Sequence, residues 1–177
     1  FEDISEKAGV KGSKPWSTGV VMVDINQDGL LDIYVSNAGN MKANNHDNDL
    51  YINNGDLTFT ERAKEFGLAD EGFSTQAVFF DYDLDQDLDL FIVNTPVDYR
   101  LTNLALVLET TYKDDRTLVW RGSDKLDRND GSKFTDVSEK AGFMTNRWVT
   151  GVNIVDVNAD GWDDIYLNVG GVNCDDN

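Results

Sequence analysis

The chain contains one cysteine, one histidine, few basic residues and no long apolar run. Its 177 residues include 15 Lys and Arg against 33 Asp and Glu, which gives a formal net charge of −18. Nucleic acid and anionic membranes repel so acidic a protein, and neither is expected as a partner. No apolar stretch approaches the roughly 20 residues of a transmembrane helix, so no direct membrane insertion is expected.

The scarcity of reactive side chains argues against catalysis. His46 has no second histidine for a proton relay, and a nucleophile elbow, a zinc signature and a phosphate loop are all missing. Carboxylates are abundant and would suffice for a glycosidase pair, so a polysaccharide-degrading enzyme remains an alternative. We interpret His46 as a solvated loop residue. Cys174 either pairs with a cysteine beyond Asn177 or is a free thiol.

An acidic segment occurs three times in the chain. Residues 24–32 read DINQDGLLD, residues 81–89 read DYDLDQDLD, and residues 156–164 read DVNADGWDD. Each segment places a carboxylate or a carboxamide at positions 1, 3, 5 and 9. The mutual repulsion of these groups is relieved when a hard cation lies among them. Calcium is the best candidate, because it accepts six to eight oxygen ligands, including a backbone carbonyl, which we expect at position 7.

The sequence therefore predicts three calcium ions as cofactors, one in each loop. The predicted ligands of loop 1 are Asp24, Asn26, Asp28, Leu30 and Asp32. Those of loop 2 are Asp81, Asp83, Asp85, Asp87 and Asp89. Those of loop 3 are Asp156, Asn158, Asp160, Trp162 and Asp164. In each set the position-7 residue contributes its carbonyl oxygen and the others contribute side-chain oxygens.

Short runs of β-branched and aromatic residues flank every loop. VVMV and IYV surround loop 1, AVFF and LFIV surround loop 2, and VNIV and IYL surround loop 3. This pattern predicts a strand, a metal-binding loop and a second strand. An EF-hand is excluded, because it needs flanking helices and a Glu at position 12, where this chain has Val35, Ile92 and Leu167.

The loops belong to longer internal repeats. An aromatic residue stands eight positions before each first Asp, as Trp16, Phe73 and Trp148. Farther upstream the segments FEDISEKAGV, FTERAKEFGL and FTDVSEKAGF begin at residues 1, 59 and 134. We predict repeats over roughly 1–58, 59–133 and 134–177, the last of them truncated. The three aromatic residues are expected to pack between repeats.

Gln86 departs from the repeated loop pattern. Loops 1 and 3 have Gly29 and Gly161 at this position, which often requires a positive φ. Strain is therefore expected in loop 2.

A second departure is an insertion of about 98–122 between the second and third repeats. Four residues of this insertion follow helical spacing, namely Leu101, Leu104, Ala105 and Leu108. It is interpreted as a short helix or an ordered flap, with a longer β-hairpin as the alternative.

These strand-flanked loops, with LYINNGDLTF at 50–59 and LDRNDGSKFTDVSEKAG at 126–142, resemble the FG-GAP or VCBS repeats of integrin α-subunit N-terminal propellers. They resemble most closely the cartilage acidic protein-like bacterial surface proteins. The resemblance covers almost the whole chain apart from the insertion. It implies an all-β fold made of β-propeller blades, each a four-stranded sheet with calcium in one hairpin loop.

Three repeats are fewer than the four to eight blades of a closed propeller. We therefore expect 1–177 to be an incomplete segment of about three blades, completed by remaining blades of the same protein or by other chains. The predicted function is a non-catalytic, calcium-stabilised binding or adhesion module with a glycan or protein ligand. An extracellular or cell-surface location is expected, because loops of this affinity need roughly 0.1 to 1 mM calcium. The alternatives are a propeller-type polysaccharide enzyme and a purely structural component of a surface assembly.

Overall fold

The computed structural model describes residues 1–38, 45–95, 123–143 and 148–170, which form mostly antiparallel β-sheet. The all-β class is therefore confirmed. The strands are β1 Ser17–Val23, β2 Asp32–Asn37, β3 Asp49–Asn53, β4 Phe59–Glu61, β5 Ser74–Phe80, β6 Asp89–Asn94, β7 Lys125–Asn129, β8 Phe134–Asp136, β9 Val149–Val155 and β10 Asp164–Val169. The described residues also include two helices, α1 Ala63–Phe66 and α2 Ser138–Ala141.

The strands form three separate sheets in which neighbours in sequence are neighbours in space. Sheet I has the order β1-β2-β3-β4, sheet II has the order β5-β6-β7-β8, and sheet III pairs β9 with β10. None of the three closes on itself within the described residues. Each strand in this order is antiparallel to the next, and the segment between β6 and β7 is much longer than the acidic loops.

Each acidic loop joins the first two strands of its sheet. The pairs Val23 with Asp32, Phe80 with Asp89, and Val155 with Asp164 close the three hairpins. The predicted arrangement of strand, loop and strand is thus confirmed for all three loops. The predicted exclusion of the EF-hand is also supported, because strands flank every loop.

The second hairpin of a sheet crosses the repeat boundary that the sequence suggested. Strand β4 begins at Phe59, the first residue of the predicted second repeat, yet it pairs with β3 of sheet I. Likewise, Phe134 begins β8 and pairs with Asn129 in sheet II. The start of each repeat therefore supplies the last strand of the preceding sheet.

Two apolar cores hold the sheets face to face. One core lies between sheets I and II and includes Tyr34, whose ring meets the ring of Phe79 edge-on at 5.7 Å. The other lies between sheets II and III and includes Phe91, whose ring lies 5.6 Å from that of Phe143. Tyr34 and Phe91 are both 0% exposed. Burying an aromatic side chain of this size stabilises the fold by about 2 to 3 kcal/mol.

The outward faces of the end sheets remain apolar and exposed. Val20 and Met22 on β1 lie on the side of sheet I away from sheet II, and Tyr166 on β10 lies on the side of sheet III away from sheet II. Both faces thus have the composition of a packing surface.

No helix in the described ranges is long and apolar enough to cross a membrane. The predicted insertion at about 98–122 and Cys174 both lie outside the described residues. Their predicted helix, hairpin or disulfide therefore stays a prediction.

Candidate metal centres

The first aspartate of each loop fixes the loop backbone. In loop 1, the carboxylate of Asp24 accepts hydrogen bonds from the backbone N–H groups of Asp28 at 3.0 Å and Gly29 at 2.9 Å. The same two bonds recur in loops 2 and 3, where the acceptors are Asp81 and Asp156. The three loops therefore share one conformation, which holds positions 1 and 5 close together.

The ninth residue joins the loop to the second hairpin of its sheet. Asp32 accepts from the N–H of Ile25 with Oδ2 and from the N–H of Asn53 on β3 with Oδ1. Asp89 makes the equivalent bonds to the N–H groups of Tyr82 and Asn129. Both aspartates are 0% exposed, and burial raises their pKa above the ordinary value. These carboxylates are thus fixed in place without any ion.

The third residue distinguishes loop 2 from the others. In loop 1 the amide of Asn26 donates to the carboxylate of Asp28 at 2.9 Å, and loop 3 repeats this bond with Asn158 and Asp160. Loop 2 has the carboxylate of Asp83 instead of an amide. Carboxylate oxygens of Asp81, Asp83 and Asp89 lie within 4.8 Å of one another. Loop 2 therefore concentrates the most negative charge.

The seventh residue adds a further carboxylate only in loop 2. Partial burial raises the pKa of Asp87 to about 6, and the neighbouring carboxylates of Asp85 and Asp89 add to the shift. Its Oδ1 atom is buried and accepts no hydrogen bond. At the same position Leu30 and Trp162 are 37% and 50% exposed. Coordination through these three backbone carbonyls stays a prediction.

Two positions in each loop have left-handed backbone. Gln86 has a φ of 77°, close to the 85° of Gly29 and the 90° of Gly161, so the expected left-handed conformation at this position is confirmed. The fourth position is also left-handed, with a φ of 58° to 63° at Gln27, Leu84 and Ala159. No glycine marks that position, so the sequence carries no signal for it.

Loops 1 and 2 lie side by side at the same end of their sheets. The side-chain amide of Gln27 donates to the backbone carbonyl of Gln86 at 3.0 Å. The structure therefore brings two of the predicted metal sites together, which the sequence spacing did not indicate.

The donor set fits a hard cation. Every side chain that converges in loop 2 offers oxygen, and one buried carboxylate oxygen there has no hydrogen-bond partner. Oxygen ligands of this kind are typical of calcium rather than of zinc or copper. Loops 1 and 3 have the same backbone geometry with amide oxygens at the third position.

The interpretation of His46 as a solvated residue is wrong. Its side chain is 6% exposed and stacks on the ring of Phe73 at a centroid distance of 4.8 Å. The packing role expected for the repeated aromatics fits Phe73, whereas Trp16 and Trp148 are 65% and 39% exposed. His46 and Phe73 therefore contribute to packing and not to the acidic loops.

A buried charged cluster at the interface of sheets I and II was not foreseen. Lys125 pairs with Asp70 there, and Asp127 is 6% exposed beside them. Burial raises the pKa of Asp127 to about 7, and the carboxylate of Asp136 adds to the shift. The residue of sheet I that is equivalent to Asp127 is Tyr51, so the repeat pattern did not predict a carboxyl group at this position.

Comparison with models of known protein families finds no match, and comparison with curated proteins finds none either. The resemblance to FG-GAP and VCBS repeats therefore depends on the repeated residues of this chain alone. Any function has to be argued from the geometry of the loops and sheets.

Proposed function

We propose that this chain is a calcium-stabilised, non-catalytic binding module of a larger surface or secreted protein. The observation that carries the proposal is the loop geometry that recurs in all three hairpins. In each, position 1 accepts two backbone N–H groups, and the carboxylate at position 9 accepts the N–H of position 2. Three carboxylate-rich loops of identical conformation are expected when each surrounds the same ion.

Calcium in these loops acts on stability. Clustered carboxylates repel one another, and a divalent ion among them replaces repulsion by attraction. An ion that binds only the folded state stabilises it by mass action. The carboxylates at positions 1 and 9 already hold the loop backbone in place through hydrogen bonds from its N–H groups. Calcium binding therefore needs little rearrangement of the loop.

The repeats are proposed to be FG-GAP or VCBS blades of a β-propeller. Support comes from two four-stranded antiparallel sheets of sequential order and from their face-to-face packing. Remaining blades of the same protein, or other chains, would cover the exposed apolar faces at Val20, Met22 and Tyr166.

An extracellular or cell-surface location follows from the same chemistry. Millimolar calcium would saturate loops of this class, whereas cytosolic calcium would leave them empty. The ligand is proposed to be a glycan or a protein, because the net charge of −18 disfavours polyanions.

No specific observation favours the polysaccharide-degrading alternative in the described part of the chain. Asp127 has the raised pKa of a general acid, but it is 6% exposed between two sheets and no substrate would reach it.

Calorimetric titration with calcium tests the proposal. We expect three binding events in the wild-type chain. In Asp83→Asn the tightest of them should have a higher dissociation constant, because loop 2 then loses one of its carboxylates. Asn26→Asp should strengthen binding in loop 1, and Glu2→Gln serves as the control for net charge at an exposed residue outside the loops. Absence of calcium binding at millimolar concentration would overturn the proposal.

The ligand is tested separately on calcium-loaded protein. Binding to a glycan array without turnover supports the binding module. Turnover of a polysaccharide would establish the enzyme instead.

A further inference from the structure

A cavity lies beside sheet I, and none of the described residues that line it belongs to an acidic loop. It has a volume of about 420 Å³ and is formed by residues 9–14, which precede β1, together with strands β3 and β4. Ligand-binding clefts of proteins commonly have volumes of roughly 300 to 1,000 Å³. The cavity is therefore large enough for a small-molecule ligand.

Tyr51 on β3 lines this cavity and offers it a hydroxyl group. The residue is 6% exposed, and a Cβ atom on Gly12 would lie 3.8 Å from its hydroxyl oxygen. In the described part of the chain no residue forms a hydrogen bond with this hydroxyl. The buried hydroxyl of Tyr34, by contrast, donates to the carbonyl of Leu68 and accepts from the amide of Asn48. Buried tyrosine hydroxyls usually have such partners, so the hydroxyl of Tyr51 is available to a ligand.

The charged side chains that line the cavity beside Tyr51 already balance one another. The ammonium group of Lys14 lies 2.5 Å from Oδ1 of Asp47 and 3.9 Å from Oδ1 of Asp49. The side chains of Lys14 and Asp49 are 9% and 10% exposed. Lys64 lies 4.0 Å from the other carboxylate oxygen of Asp47, so two ammonium groups face two carboxylates. Because separating the partners of a buried ion pair is costly, a charged ligand group would have to compete with these pairs.

The rest of the cavity wall also carries charges of both signs. Lys11 pairs with Glu6 at 3.3 Å. Glu61 lies opposite Tyr51 on β4, and one of its carboxylate oxygens accepts the backbone N–H of Ala63 at 2.8 Å. A ligand with a single formal charge would therefore meet groups of its own sign beside those that attract it. An apolar ligand would remove water from these ions without replacing its hydrogen bonds.

Hydroxyl groups are the ligand groups that suit these surroundings. A hydroxyl both donates and accepts, so it can bond to a carboxylate or to an ammonium group without breaking the ion pair. Burial raises the pKa of Tyr51, and the carboxylates of Asp49 and Glu61 add to the shift, so the tyrosine hydroxyl keeps its proton and can donate it to a ligand oxygen. A neutral molecule with several hydroxyl groups therefore fits the cavity better than an anion, a cation or a hydrocarbon.

We infer that this cavity binds a neutral sugar residue, with Tyr51 and Lys14 as hydrogen-bond donors to it and Asp49 as an acceptor. The sugar would be the ligand of the proposed binding module, so the site rests on that proposed function. Sheet II lacks a second copy of the site, because Lys125 and Asp127 stand there in place of Asp49 and Tyr51. One such site is therefore expected in the described part of the chain.

A glycan array that carries neutral glycans, sialylated glycans and glycans with free amino groups tests the inference on the calcium-loaded chain. We expect binding to neutral glycans, with competition at millimolar concentration by the methyl glycoside of the terminal sugar. In Tyr51→Phe the dissociation constant of the bound glycan should rise about fivefold to tenfold, because one hydrogen bond to the sugar is lost. The melting temperature should stay unchanged, because that hydroxyl has no partner among the described residues.

Tyr166→Phe is the matched control, because Tyr166 is 57% exposed on sheet III and does not line the cavity. It should leave the affinity for the glycan unchanged. Equal affinity of Tyr51→Phe and wild type would overturn the inference, and so would a preference for sialylated or amino glycans.

The sugar site and the proposed function can fail separately. Calcium binding without any bound glycan would overturn the sugar site and leave the proposed module with a protein ligand. Turnover of the bound glycan would overturn the non-catalytic function, and the affinity of Tyr51→Phe for that glycan would still decide the site.

Discussion

At the scale of single residues, the loops combine favourable hydrogen bonds with unfavourable backbone and charge. The backbone N–H groups of Asp28 and Gly29 donate hydrogen bonds to the carboxylate of Asp24. The same turn requires positive φ at two positions, and an L-residue adopts this at a cost of roughly 1 to 2 kcal/mol. Loop 2 carries that cost at both Leu84 and Gln86.

Replacing the strained residue of loop 2 should therefore stabilise the protein. We expect Gln86→Gly to raise the free energy of unfolding by about 1 kcal/mol, because glycine adopts a φ of 77° without a Cβ clash. Gly29→Gln, at the same position of loop 1, should lower it by a similar amount. No atom lies within 4 Å of a Cβ on Gly29, so backbone strain alone is measured. Urea denaturation gives both values, and equal stability of Gln86→Gly and wild type would contradict the strain.

Asp127 should make stability depend on pH. Its pKa is about 7 in the folded chain and 3.8 in the ordinary carboxyl, so the unfolded chain releases this proton first. The contribution of Asp127 to the free energy of unfolding is fully present below pH 3.8 and is lost as the pH rises to about 7. Asp136, Asp70 and Lys125 are the charged groups around it.

Asp127→Asn should accordingly be more stable than the wild type at pH 8 and nearly equal to it at pH 4. The difference should reach several kcal/mol, since each pKa unit corresponds to about 1.4 kcal/mol. Denaturation of both proteins across this range measures it. Glu2→Gln, at an exposed carboxylate outside the sheets and the loops, is the control. A difference that does not grow with pH would refute the assignment.

At the scale of elements, the hairpins around the loops were predictable and the sheets were not. A loop and its two flanking strands are local, so β-branched runs beside the DxNxDGxxD and DxDxDQxxD segments suffice to identify them. The pairing of β4 with β3 joins the start of one repeat to the sheet of the previous one, and no local pattern carries that information. The burial of His46 against Phe73 and of Asp127 between sheets likewise depends on contacts between distant segments.

The glycine turns after α1 and α2 give a matched test of this interlocking. Gly67 and Gly142 are both C-caps with a φ of 79°. A Cβ atom on Gly67 would come within 3.0 Å of the carbonyl oxygen of Phe134, the first residue of β8, whereas a Cβ atom on Gly142 would meet no atom of the described residues within 4 Å. Gly142→Ala should cost about 1 kcal/mol from backbone strain alone. Gly67→Ala should cost roughly 1 kcal/mol more, because its Cβ meets the Phe134 carbonyl and forces a small shift. Thermal unfolding of the two variants measures the difference, and equal costs would contradict the contact.

At the scale of the whole molecule, apolar contacts between sheets oppose the repulsion of many carboxylates. Two cores join the three sheets, while the chain carries a net charge of −18. Loops 1 and 2 touch through Gln27, so their charges also add across the sheet boundary. Charge of one sign destabilises a compact state, and salt screens this effect only partly at short distance.

Calcium should therefore raise the melting temperature of the whole chain. At calcium ten times the dissociation constant, one site contributes about 1.4 kcal/mol, and three sites contribute roughly 4 kcal/mol. For a chain of this size we expect a rise of about 10 °C in the melting temperature.

Magnesium should raise the melting temperature much less, because it requires near-ideal octahedral geometry and retains its water. Sodium chloride at the same ionic strength separates screening from binding. Asp156→Asn in loop 3 should remove about a third of the calcium effect. An unchanged melting curve, with calcium occupancy verified, would show that the loops do not stabilise this fold through the ion.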